Sequence, residues 1–213
     1  MSVDVPTLSL GLALSNVLAV AANVASFSTY IFVPYYLVDV VRFPASLAGV
    51  AFMAIPLSMS LGGLAGGWLT VRFAPRLLVV AGLALETFGL AAIAALDGGS
   101  GLLTIVPALA CTGLGLGLFQ VPNMALVMAA LPDASQGLAG GMVSAMRTVG
   151  ILTTATLAPW FFAVRQASHR PIVGEPAALF VAAFSDTFLA SAALATCTLG
   201  LALLLFTRAA RRR

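Results

Sequence analysis

The chain is a succession of long apolar stretches, and its organisation shows where that pattern breaks. Charge, proline and glycine clusters cut it into six blocks, because these residues end or interrupt apolar helices. The first block runs from Leu8 to Val38 and stops at Asp39-Val-Val-Arg42-Phe-Pro44. The second runs from Ala45 to Val71 and stops at Arg72-Phe-Ala-Pro75-Arg76. The third covers Leu77 to Leu96, before Asp97-Gly-Gly-Ser-Gly101, and the fourth Leu102 to Leu131, before Pro132-Asp-Ala-Ser-Gln136. The fifth covers Gly137 to Val164 and is followed by a polar loop, Arg165 to Pro176. The sixth covers Ala177 to Phe206, and a basic tail occupies 207–213. A bilayer core takes about 20 helical residues to cross, so each block predicts one membrane span. The longer blocks imply tilt, kinks or protruding ends. The expected fold is all-α: one polytopic bundle of six transmembrane helices over residues 1–213.

Composition supports lipid as the solvent. The chain is 61% hydrophobic and 8% charged, against about 25% charged in a soluble domain. So few charges cannot cover a water-facing surface, whereas apolar side chains can face lipid. Met1 to Ala22 loosely imitates a signal peptide. It lacks a basic start, however, and its apolar run continues too far, so it reads as the beginning of the first span. Cys111 and Cys197 sit deep in apolar runs and read as small core residues rather than a disulfide or metal pair.

All ten basic residues are arginines. They lie at block ends and form no stripe, which argues against a nucleic-acid partner. With six spans both termini share a side. Placing the tail inside puts Arg72, Arg76, Arg208, Arg211, Arg212 and Arg213 there, against Arg42, Arg165 and Arg170 outside. The excess predicts a multi-pass protein of the cell (inner) membrane with both termini cytoplasmic.

Polar residues inside the blocks carry the candidate chemistry. Gly62/Gly66, Gly63/Gly67, Gly113/Gly117 and Gly137/Gly141 are small-xxx-small pairs that let helix backbones approach. Asn16, Asn23, Ser26 and Tyr30 fall within about 80° of one another on a helix. In the fourth block Gly113, Gly117, Gln120 and Met124 share a face, with Asn123 beside it. Such faces point at protein or a water-filled cavity, where they serve helix–helix hydrogen bonding or a ligand. Glu86 lies near the middle of the third block. It is a candidate proton carrier, or else a neutral, hydrogen-bonded structural acid. Arg147 either snorkels to the interface or faces the cavity. Asp186 is a second acidic candidate for proton coupling, although it also suits the N-cap of a helix starting at Thr187. His169 reads as a solvated loop residue. There is no H-E-x-x-H, G-x-S-x-G, P-loop or Cys/His cluster, so no enzyme, cofactor or metal is expected.

The stretch Gly113-Leu-Gly-Leu-Gly-Leu-Phe-Gln-Val-Pro-Asn123 resembles the fourth helix of the C-terminal half of major facilitator superfamily drug exporters. Leu131-Pro-Asp-Ala-Ser-Gln-Gly-Leu-Ala-Gly-Gly-Met-Val-Ser-Ala-Met-Arg147-Thr-Val-Gly150 resembles the loop and helix that follow it. Phe180 to Leu189 is similar to the start of the last helix of the multispan drug:proton antiporters. Gly67-Trp-Leu-Thr-Val-Arg72-Phe-Ala-Pro-Arg76 resembles the family's short gate loop, with Gly67, Arg72 and Arg76 in place. Val71 and Ala74 stand where the family has Asp and Gly, so the acidic latch is missing.

The resemblance implies alternating access, with two six-helix bundles rocking about a midplane site. It also implies that the first and fourth helices line the cavity and that the third and sixth are scaffold. The implied cavity set is Asn16, Asn23, Tyr30, Phe119, Gln120 and Asn123, joined by Arg147. The expected function is export of hydrophobic or amphipathic small molecules, cations or drugs among them, driven by protons. The expected partners are membrane lipid, the substrate and a second six-helix half, from another chain or a second copy. A non-transporting assembly partner or degenerate half is the competing reading.

Overall fold

The computed structural model describes the backbone of residues 5–131, 136–170 and 175–211, and the side chains of 13–131, 140–170 and 175–207. The loop expected at Pro132, the surroundings of Gly137 and the arginine side chains of the basic tail lie outside the described residues. Helix α1 (Val5–Tyr35) runs into a π-helical turn (Tyr36–Val40). It is followed by α2 (Ala45–Phe52), α3 (Ala54–Leu69), α4 (Pro75–Ala94), α5 (Leu102–Ala129), α6 (Gln136–His169) and α7 (Pro176–Arg211). No strand occurs among the described residues. Among the described residues, five spans are long and apolar enough to cross a bilayer: α1 with its π turn, α2 with α3, α4, α5 and α7. Helix α6 has the length, at 34 residues, but Arg147, Thr148, Thr153, Thr154 and Thr156 make it more polar. The protein is therefore an all-α polytopic membrane bundle.

Local chemistry explains most boundaries. Pro34 removes an N–H from α1, and two residues later the helix widens into its π turn. Arg42 then adopts a left-handed conformation, with φ 63°. This reversal lets the Phe43 N–H reach the Leu37 carbonyl at 3.0 Å and delivers the chain to Pro44. The second predicted block is interrupted at Met53, between α2 and α3. Pro56 is the cause: its missing N–H leaves the Phe52 carbonyl without its usual helical donor. Pro75 opens α4 at its first turn, where its missing N–H costs nothing. In the turn before α5, Asp97 Oδ1 accepts from the Gly99 N–H at 2.9 Å and the Ser100 hydroxyl at 3.0 Å.

Three expectations are corrected. The polar segment from Arg165 is not loop at its start, because α6 stays helical through His169. Asp186 does not cap a helix at Thr187. Helix α7 begins at Pro176, and Asp186 sits inside it, where pairing with α6 makes a mid-helix carboxylate tolerable. Cys111 is only half-buried and Cys197 is exposed, so neither is a core residue. An exposed thiol is compatible with lipid, which is as apolar as a core.

Helix α5 is the hub, packed on α3 at one side and α4 at the other, while α1 packs on α6 and α7, and α4 also on α7. Two of its glycines make this possible. A Cβ at Gly117 would strike the Met59 carbonyl of α3, and one at Gly115 would strike the Glu86 backbone N–H of α4. Two residues turn a helix by about 200°, so these glycines open opposite sides of α5. Gly113 closes on Ile55, and Gly62 on Leu114 of α5, so the Gly62/Gly66 and Gly113/Gly117 pairs are packing contacts. At the end of the bundle away from the 70–74 turn, aromatic rings fill the core. Phe32 stacks on Phe162 at 4.7 Å, Tyr36 on Phe184 at 4.8 Å, and Phe184 meets Phe188 at 4.5 Å.

Candidate functional site

A cavity of about 440 Å³ opens between α1, α5 and α6. Five of the seven residues expected at a cavity line it: Asn23 from α1, Phe119, Gln120 and Asn123 from α5, and Arg147 from α6. Met124, Met128 and Ser144 also line it. The wall is apolar with a few convergent polar groups, the usual make-up of a small-molecule site. The other two expected residues stand apart. Asn16 is buried away from the opening. Tyr30 packs on Phe27 and edge-on against Phe52, 5.8 Å away.

Each polar wall residue is fixed differently. Asn23 donates from Nδ2 to the Ala19 carbonyl of its own helix at 2.7 Å. Its Cβ and the Val20 carbonyl each lie 3.0 Å from where a side chain would begin at Gly150, so the glycine lets α6 sit close to α1. One turn on, the Thr154 hydroxyl donates to the Val24 carbonyl, 3.0 Å away, and closes the α1–α6 seam. Asn123 donates across to the Ser15 carbonyl at 3.3 Å, while its buried Oδ1 has no partner among the described residues. Arg147 is exposed and takes part in no described ion pair, since both of those involve Asp186. Its side chain is among those lining the cavity.

The polar stripe expected on α1 therefore divides. Asn23 faces the cavity, whereas Ser26 turns to the scaffold and donates to Glu86 Oε1 at 2.6 Å. Glu86 is 0% exposed, and its Oε2 has no partner among the described residues. No described cation pairs with it, so the arrangement fits a neutral acid joining α4 to α1. Asp186 is ion-paired instead. Its Oδ2 lies 2.7 Å from Arg165 Nε and 2.6 Å from His169 Nε2, tying the end of α6 to α7. His169, expected to be solvated, is half-buried in that cluster. Ser185 beside it donates to the Ala94 carbonyl at 2.7 Å, linking α7 to α4.

The gate-loop residues lie at the opposite end. Arg72 stacks over the Trp68 ring at 4.3 Å, and Arg76 sits 5.8 Å over Phe206 of α7. Val71, in the place of the family's Asp, is 86% exposed. A side chain begun at Gly67 would meet the Val121 side chain at 3.8 Å, an ordinary contact.

Fold and cavity define a class: a polytopic helical membrane protein with a polar-lined cavity among its spans. No family model matches the chain. It is 25% identical to the riboflavin transporter RibZ of Clostridioides difficile over 191 residues, covering 90% of this chain and 41% of that protein. It is 34% identical to a triacylglyceride transporter of Mycolicibacterium smegmatis over 117 residues, 50% of this chain and 21% of the relative. It is 27% identical to the MFS-type efflux transporter pyiT of Pyricularia grisea over 158 residues, 74% of this chain and 26% of the relative. The resemblance to half of a major facilitator permease is borne out by these transporter relatives. The chain spans at most about two-fifths of the length of the relatives it matches.

Proposed function

We propose that this chain is one half of an alternating-access exporter of hydrophobic or amphipathic small molecules, driven by protons. The observation that carries the reading is the cavity, where Asn23, Gln120, Asn123 and Arg147 converge from three helices. Transporter relatives support it, as does the α5 motif that supplies Phe119, Gln120 and Asn123. In this reading α6 is the sixth crossing. Its Arg147 is sheltered by a second six-helix bundle, because an exposed arginine facing acyl chains is costly. Both termini lie in the cytoplasm of the cell membrane, following the arginine excess. Substrate enters a site at the bilayer midplane and leaves when the two bundles rock.

An inhibitor-sensitive dye-efflux assay in cells tests this. Arg147→Ala and Gln120→Ala should each abolish most efflux at normal membrane insertion. Unchanged efflux in both variants contradicts the reading. One observation favours a non-transporting assembly partner instead: the gate loop carries exposed Val71 in place of an acidic latch. Restoring the acid with Val71→Asp should raise efflux if the half is a working one. A purified monomer that moves dye across liposomes by itself would remove the need for a second bundle.

A further inference from the structure

The cavity wall carries charge of one sign. Arg147 contributes a guanidinium, and none of the described lining residues is Asp or Glu. The two carboxyls nearest in sequence logic point elsewhere. Glu86 is sealed behind α1 against Ser26, and Asp186 is occupied by Arg165 and His169. Among the described residues the guanidinium is therefore uncompensated, in an apolar wall that includes Met124 and Met128. An unpaired cation in such surroundings is stabilised by an incoming anion, and guanidinium matches a carboxylate with two parallel N–H donors. The same cation repels an organic cation brought to the same place.

The amides sharpen the match. Gln120 is half-buried on the wall, with an amide that can donate to a ligand oxygen. Asn123 Oδ1 is a buried acceptor with no described partner, because its Nδ2 is spent on the Ser15 carbonyl. A ligand N–H or O–H reaching this corner would satisfy it. Met124 and Met128 offer adaptable apolar surface to a flat apolar body.

We infer that the cavity binds amphipathic organic anions: molecules with an aromatic or apolar body and one carboxylate or comparable acidic group seated on Arg147. This deepens the transporter reading by naming the ligand class of the same site. It is measured by binding, not by transport, so the two can fail separately.

The test uses the full chain purified in uncharged detergent. Two fluorescent xanthene dyes of similar size serve as probes, one carrying a free carboxylate and net negative charge, the other esterified and cationic. Fluorescence polarisation should show the anionic dye binding more tightly. Arg147→Gln should weaken anion binding about tenfold or more, the scale of one hydrogen bond to a charged group. Arg147→Lys should keep the preference for the anion at weaker affinity than the parent, because an ammonium keeps the charge but not the two parallel donors, and R147E should reverse the preference toward the cationic dye. Arg147 is exposed, so none of these changes removes packing. Equal binding of both dyes, a preference for the cation, no effect of Arg147→Gln, or no binding of either dye overturns the inference. If efflux in cells depends on Gln120 while the anion preference is absent, the transporter reading stands and the anion assignment falls. Anion binding without efflux gives the converse.

Discussion

Ser26 and Glu86 meet in a setting where small changes should have sharply different effects. The carboxyl is sealed from water and receives one hydrogen bond, from a hydroxyl, with no cation beside it. Glu86→Gln keeps the shape, the neutrality and an acceptor for Ser26, so its thermal stability in detergent should match that of the parent. Glu86→Leu removes the acceptor and strands the Ser26 hydroxyl, and should cost about 1–3 kcal/mol. If both variants behave alike in a melting experiment, the hydrogen bond does not join α4 to α1. Asp186 differs because it is charged and shared. Asp186→Ala should loosen the end of α6 by about 1 kcal/mol, as the cluster is partly open to solvent. Faster hydrogen exchange confined to the residues around His169 is the signature to look for. Both acids stood out in the sequence as charges inside apolar blocks. Their partners did not, because Ser26 is 60 residues from Glu86, and a helical stripe says which residues share a face without saying which neighbour it meets.

At the level of elements, helix α5 is held by close backbone approach on two sides. Gly115→Leu or Gly117→Leu should destabilise the bundle by at least about 1–3 kcal/mol through overpacking. Gly200, in α7, has open space where its side chain would be, so Gly200→Ala should be neutral or stabilising by up to about 1 kcal/mol. A thermal-shift comparison of the three variants distinguishes packing glycines from free ones. The six helical blocks were legible because apolar run length and proline placement are local signals. The Gly62/Gly66 and Gly113/Gly117 contacts were legible for the same reason, being spaced by one turn. Gly82, Gly89 and Gly115 also pack tightly between α4 and α5, but their spacing makes no small-xxx-small pair. The α2–α3 break was missed because Pro56 lies within an uninterrupted apolar run. The extra helical turns of α6 were missed because Arg165 and His169 read as loop until Asp186 is placed opposite them.

Across the whole molecule, the exposed surface separates into two kinds. Leu57, Leu61, Leu64 and Trp68 on α3, with Leu203 and Leu204 on α7, present apolar side chains outward, as lipid-facing helices do. The cavity instead presents Gln120, Ser144 and Arg147. Five of the seven expected cavity residues were found from polar periodicity and the family-like α5 motif. Asn16 and Tyr30 do not line this cavity: Asn16 is buried, and Tyr30 packs on Phe27 and Phe52. Ser144 carries a weak signal, three residues before Arg147 on the same helix, and Met128 one turn beyond Met124.

Water accessibility of single cysteines tests most directly whether the polar wall is shielded from lipid. In a chain with Cys111 and Cys197 replaced by serine, Q120C, M124C and R147C should react with a water-soluble, charged maleimide in the membrane, and L61C, L64C and L203C should not. Labelling of the leucine positions, with the cavity positions inert to the reagent, would contradict the account.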